Sequence, residues 1–209
     1  MMSKKYLAEA TRIKIIIAFL LLSGSMLFLV SCKNRSNSAG KQVTSETDTT
    51  KPKFQPLDKN PYEGLRHLAF SVTPEQLSLK LSEDKIEVYG VVMDWGMEDI
   101  TATTVAYKTG DASLYLSSGG TVIGGGKHRT VKRAAKQFVR VAQTFLNEAT
   151  KTDTTSAPIK GQACFYLLTN KGMYVGKASL QDLEDNSSAW RPLFHEGNKV
   201  IRELRLLSQ

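Results

Sequence analysis

The residues of this 209-residue chain whose types and spacing best suit chemistry lie between Gly119 and Arg129. There Gly119-Gly120-Thr121-Val122-Ile123-Gly124-Gly125-Gly126 runs into Lys127-His128-Arg129. Glycine lets main-chain N–H groups approach a ligand closely, and a helix N-terminus presents unpaired N–H donors to an anion. Gly119, Gly120, Gly124, Gly125, Gly126, Lys127, His128 and Arg129 are therefore the candidate ligand-binding residues, with a small anion or nucleotide-like molecule as ligand. The sharper nucleotide patterns are not met. A phosphate loop places glycine five residues before the Gly-Lys glycine and a hydroxyl after the lysine, where this chain has Thr121 and His128. The pattern Gly-x-Gly-x-x-Gly, begun at Gly124 and Gly126, meets Arg129 at its third glycine. The glycines can equally serve a tight strand-to-helix turn with positive φ.

Lys127, His128, Arg129, Lys132, Arg133, Lys136 and Arg140 gather at the start and along the outer face of the helix that follows. Cations near a helix N-terminus oppose its macrodipole by about 0.3–1 kcal/mol each, so this placement suits a bound or docking anion. A plain solvated basic face is the competing reading.

Elsewhere the chemistry thins out. His67, His128 and His195 have no second histidine or cysteine at metal-ligand spacing, so no metal site is expected. Ser117 and Ser118 do not form Gly-x-Ser-x-Gly. Glu83, Asp84, Asp94, Glu98 and Asp99 sit where strands end and turns begin, positions at which carboxylates are expected in water. Neither a catalytic constellation nor a cofactor is expected, and the domain reads as non-enzymatic. Cys164, within Ala163-Cys164-Phe165-Tyr166-Leu167-Leu168, reads as a packed thiol in a buried strand.

Cys32 belongs to different chemistry. Lys4, Lys5, Arg12 and Lys14 precede a run from Ile15 to Val30 that is apolar apart from Ser23, Gly24 and Ser25, the layout of a signal peptide. Its length approaches that of a membrane span, so a retained anchor helix is the other reading. Leu29-Val30-Ser31-Cys32 resembles the lipobox of bacterial lipoproteins. The resemblance implies a diacylglyceryl thioether on Cys32, cleavage after Ser31, and acylation of the new amine by a fatty acid such as palmitate. The nucleophile required is a thiolate, hence a cysteine. Two or more acyl chains, at about 0.8 kcal/mol per buried methylene, anchor a protein stably. Either reading places the rest of the chain outside the cytoplasm, in the cell envelope, without choosing between inner and outer membrane.

Removal of residues 1–31 leaves 24 basic and 19 acidic residues, so the net charge falls from +8 to +5. That balance, without a basic tract interleaved with aromatics, argues against a nucleic-acid partner. With Cys32 committed to lipid, Cys164 has no intramolecular disulfide partner.

Residues 1–31 read as the signal peptide, 32–61 as the lipidated cysteine and a polar tether, and 62–209 as one globular domain. Residues 33 to about 60 carry only Val43, Phe54 and Leu57 as sizeable apolar side chains, too few to offset ordering entropy. Such a coil has an r.m.s. reach of roughly 30 Å. Thr73-Pro74-Glu75-Gln76 reads as a capping box opening a short helix, although alternating Leu77, Leu79 and Leu81 also permit a strand. Strands are expected at Ile86–Trp95, Thr101–Tyr107 and Ala112–Ser117, with a hairpin turn at Lys108–Asp111. Val131, Ala134, Ala135, Phe138, Val141, Ala142, Phe145, Leu146 and Ala149 recur every three or four residues and mark an amphipathic helix. A loop over 150–160, a hairpin of Gln162–Leu168 with Met173–Ala178, and a helix over Trp190–Leu207 complete a βββαββα order.

That order implies an α+β domain with an antiparallel sheet of about five strands and helices mainly on one face. Profilin-like and roadblock-like modules are similar in size and content, with a different order of elements. Asp111 to His128 and the helix after it resemble a segment of bacterial proteins that carry no assigned activity, which implies a recurring loop and no mechanism. The functional expectation is a membrane-tethered binding or interaction module, partnered by the bilayer through Cys32 and by an envelope protein. A ligand binder or enzyme using Gly119–Arg129, and an envelope-protective, immunity-like protein, are the alternatives.

Overall fold

Every residue of strand β1, Val88–Gly96, is buried. A strand covered on both faces can be apolar throughout, and Val91, Val92 and Met93 meet that demand with no exposed surface. The computed structural model describes residues 60–208. The expected signal peptide, Cys32 and all but the last two residues of the expected tether lie outside the described residues.

Around β1 the elements follow in the order α1 (Tyr62–Ser71), β1, β2 (Thr101–Tyr107), β3 (Ala112–Leu116), β4 (Thr121–Val122), α2 (Arg129–Gln143), β5 (Thr150–Thr152), β6 (Gln162–Thr169), β7 (Gly172–Ser179), α3 (Leu180–Glu184) and α4 (Arg191–Arg205). One antiparallel sheet results, ordered β4-β3-β2-β1-β6-β7-β5. The class is α+β. Seven strands replace the expected five because two short edge strands, β4 and β5, extend the sheet at its margins.

The two faces of β1 carry different cores. Val91, Met93 and Trp95 join Phe138, Phe165, Leu193, Val200 and Leu204 beneath α2 and α4. These helices pass in opposite directions. Gly125 lies between Val131 at the start of α2 and Leu204 near the end of α4, whereas Phe145 touches Trp190 at 5.1 Å between ring centroids. On the other face Val92, Val105, Tyr107, Cys164 and Tyr166 pack beneath α1 and the segment carrying Leu77, Leu79 and Leu81.

Helix α1 has no counterpart in the expected order. The Thr73 capping box does form, since Gln76 Oε1 accepts from Thr73 N at 2.9 Å and Thr73 Oγ1 from Gln76 N at 3.4 Å, but it caps a single turn. Ser78 takes a left-handed conformation with φ 54°, and the chain leaves the helical path. No strand forms either, yet Leu77, Leu79 and Leu81 all half-bury against the sheet. Helix α2 ends at Gln143, whose side chain accepts from Val88 N at 2.7 Å and donates to Ile86 O at 3.0 Å. The end of the helix is thereby fixed to the start of the central strand.

Candidate functional site

The glycine-rich segment is a hairpin followed by a packed corner. Gly119, with φ 106°, closes the β3–β4 turn, where Gly119 N donates to Leu116 O and Leu116 N to Gly120 O, both at 2.8 Å. Gly124, with φ 77°, turns the chain into the 3-10 turn Gly125–Lys127. Gly125 is buried, and a Cβ there would overlap Leu204 Cδ2 and come within 2.8 Å of Val131 Cγ1. A Cβ on Gly126 would overlap Asp111 Oδ1. Close packing and positive φ thus account for Gly119, Gly124, Gly125 and Gly126; Gly120 lies against Leu116. The Asp111 carboxylate beside Gly126 supplies negative charge where an anion held by the loop would approach.

Lys127, His128 and Arg129 are exposed and lead directly into α2. Helix α2 buries Val131, Ala135, Phe138, Val139 and Ala142. The opposite face carries Arg129, Lys132, Arg133, Lys136 and Arg140, all exposed and spaced by three or four residues, so they form one stripe. No carboxylate interrupts the sequence of α2, and none of these five takes part in the ion pairs found among the described residues. The stems of Lys132 and Lys136 pass over Gly110 in the β2–β3 turn, where a Cβ would overlap Lys132 Cγ. Both residues remain exposed, as long cationic side chains do when they pack along their stems. On the neighbouring helix Glu203 is paired with Arg202 at 2.9 Å, and that hydrogen bond holds its carboxyl below the usual range, with Thr130 and Arg133 adding to the effect.

The carboxylates divide sharply. Glu83, Asp84, Glu98 and Asp99 are exposed, as expected, whereas Asp94 is fully buried, correcting its placement in water. Asp94 Oδ2 accepts from Arg66 Nη2 at 2.6 Å and Nε at 3.1 Å, and Oδ1 accepts from Thr103 Oγ1 at 2.6 Å. Tyr62 OH lies 2.9 Å from the same Thr103 hydroxyl, and Arg66 Nη2 also donates to Thr155 O at 2.7 Å. Phe70 covers the guanidinium at 5.0 Å. Both carboxylate oxygens have partners, so the group links α1, β1, β2 and the loop before β6. The signal in the sequence was its register: Asp94 follows Val92 by two in a strand buried on both faces, so its side chain points the same way.

Cys164 is buried with a free thiol, which burial pushes up to about 11. Ser117 Oγ accepts from Thr101 N at 2.8 Å, tying its hydroxyl to the backbone. His67, His128 and His195 are exposed on α1, before α2 and on α4. No group of three histidine, cysteine or carboxylate side chains among the described residues is placed to hold a metal ion. An open cleft of about 430 Å³ is lined by His67, Phe70, Tyr89, Asp153 and Thr155. A smaller one of about 230 Å³ lies at the β1–β2 turn, where Lys160 pairs with Glu98. Neither includes any residue of Gly119–Arg129. No helix among the described residues is long and apolar enough to cross a membrane.

Comparison with protein-family models, with curated proteins and with solved structures finds no match to this chain.

Proposed function

We propose that this chain is a bacterial lipoprotein, held in an envelope membrane by acyl groups on Cys32, whose extracytoplasmic domain is a non-enzymatic interaction module for an anionic partner. Leu29-Val30-Ser31-Cys32 behind an apolar run supports the anchor. The observation that carries the interaction reading is the α2 stripe, with five exposed cations and no carboxylate in a 15-residue helix. Like charges at i,i+3 and i,i+4 destabilise a helix by about 0.2–0.5 kcal/mol per pair, and an opposing anionic surface relieves that repulsion. The closed packing of Gly125 and the Asp111 carboxylate beside Gly126 favour a surface over an enclosed small-anion site in the preceding loop.

Growth with labelled palmitate tests the anchor. Wild-type protein incorporates label and stays with membranes, whereas Cys32→Ser does neither; label on the mutant would overturn the assignment. Binding of the intact lipoprotein to an anionic column, compared with Arg129→Gln/Lys132→Gln/Lys136→Gln, tests the interaction face. Equal retention of the two would remove α2 from the proposal.

A further inference from the structure

The domain exposes three large apolar side chains at the corner from which the basic helix starts. Ile123 is 61 % exposed, Leu206 57 % and Leu207 37 %. Ile123 lies two residues before Gly125, and Leu206 and Leu207 follow Leu204, the residue against which Gly125 packs. Contact between Gly125 and Leu204 therefore brings the β4 end and the α4 end to one corner. Lys127 and His128 are exposed between Ile123 and α2, Arg205 precedes Leu206, and Arg129, Lys132 and Lys136 carry the charge along α2. No acidic residue occurs from Val122 to Asn147, and of the carboxylates beside this corner, Glu203 is paired with Arg202 and Asp111 lies against Gly126. An apolar tip on which cations outnumber carboxylates is the chemical pattern of a surface that meets a lipid headgroup layer, where cations pair with phosphates while apolar side chains enter the acyl boundary.

We propose that this corner, Ile123, Leu206 and Leu207 with the α2 cations, docks the domain on an anionic phospholipid bilayer. The inference rests on the lipoprotein reading in that the bilayer is the one holding Cys32. Tether length permits it. Asn60, the first described residue, hydrogen-bonds Ser117 O just past the end of β3, whereas Gly125 adjoins Ala112 at the start of β3. Those points are separated by about 17 Å at strand rise, less than the roughly 30 Å that a segment as long as Cys32 to Asn60 would reach if it behaved as a flexible chain. The lipid anchor would keep the domain near the surface, and the basic corner would set which side faces it. A docked domain buries the α2 stripe and leaves the α1 face, with its open cleft at His67 and Phe70, turned away from the lipid.

The test uses the unlipidated chain from residue 33 onward, which retains the whole folded domain described, residues 60–208. Its co-sedimentation is measured with vesicles of phosphatidylglycerol and phosphatidylcholine, and with phosphatidylcholine alone. Binding is expected to the anionic vesicles only and to weaken with salt. Each cation at such a surface strengthens binding about five-fold, so Arg129→Gln/Lys132→Gln/Lys136→Gln should weaken it on the order of 100-fold. Lys132→Arg/Lys136→Arg should retain it. Ile123→Ser/Leu206→Ser should also weaken it while leaving the thermal midpoint unchanged. Equal affinity for both vesicle types, absence of vesicle binding, or binding to soluble polyphosphate without vesicle binding would each overturn the proposal. Because this chain carries no acyl group, failure here is separable from failure of the lipidation assay, which reads label on Cys32 alone.

Discussion

Arg66 on α1 donates two hydrogen bonds to a single oxygen of Asp94 on β1, at 2.6 and 3.1 Å, with both side chains withdrawn from water. Burial alone lowers the guanidinium's affinity for its proton, but the hydrogen bond and charge of Asp94 more than offset it, and the net direction is upward. Removing one member of such a pair leaves the other as an uncompensated buried charge. Arg66→Ala is expected to destabilise the domain by about 3–5 kcal/mol, measured by urea unfolding. Arg66→Met combined with Asp94→Leu should cost less than Arg66→Ala alone, because no charge is stranded. A loss below about 1 kcal/mol for Arg66→Ala would mean the pair is effectively solvated and the clamp on α1 unimportant.

The Trp190 ring lies against Gly176 on β7 so closely that a Cβ there would overlap three of its atoms. The same ring stacks on Phe165 at 5.3 Å. Gly176→Ala must therefore displace Trp190 from the start of α4, with an expected cost of about 1–3 kcal/mol. Tryptophan fluorescence should report the displacement, and an unshifted spectrum with full stability would contradict the packing described.

Two glycines of the candidate loop separate packing from backbone freedom. Gly125→Ala collides with Leu204 and Val131, whereas Gly124→Ala meets nothing within 4 Å but must hold φ 77°. The second should cost only the left-handed penalty of about 1–2 kcal/mol, and the first more, since α2 and α4 both have to move. Thermal unfolding of the two variants gives the order; the reverse order would place the constraint in the turn.

Alkaline pH should loosen the β1–β6 region. Burial raises the Cys164 thiol from 9.0 to about 11 and the Tyr166 phenol from 10.0 to about 12. Both groups are neutral acids in the fold, so stability is full below pH 9. It falls as pH rises through the unfolded values towards the folded ones, at about 1.4 kcal/mol for each pKa unit per group. Denaturant midpoints measured from pH 8 to 11 should decline, and less so in Cys164→Ala relative to its own neutral-pH value. A flat profile would show that neither group is shifted. Iodoacetamide should leave the folded thiol unmodified at pH 8 and label it on unfolding.

Much of the architecture was legible because it rests on local periodicity. Three strands at β1, β2 and β3, the hairpin of β6 and β7, and the two long helices all follow from the spacing of apolar residues, which depends on the chain alone. The α2 stripe was legible for the same reason, since Arg129, Lys132, Arg133, Lys136 and Arg140 recur at helical spacing opposite Val131, Ala135 and Phe138. Edge strands β4 and β5 were not: two or three residues carry too little pattern, and they exist because β3 and β7 offer unpaired edges. Helix α1 escaped notice because its partners, Asp94, Thr103 and Tyr107, are supplied by strands far along the chain.

By itself the sequence determined the α+β class, the resemblance of Leu29-Val30-Ser31-Cys32 to a lipobox and the cation-only face of α2, each a property of short-range order and composition. Only the tertiary structure decided that Asp94 is buried and paired, that Gly125 is closed against Leu204, and that Ile123, Leu206 and Leu207 are left exposed on either side of that contact in the chain. These are relations between residues distant in the chain. They are set by how a twisted sheet brings its two ends and its two covering layers together, and local periodicity does not contain that geometry.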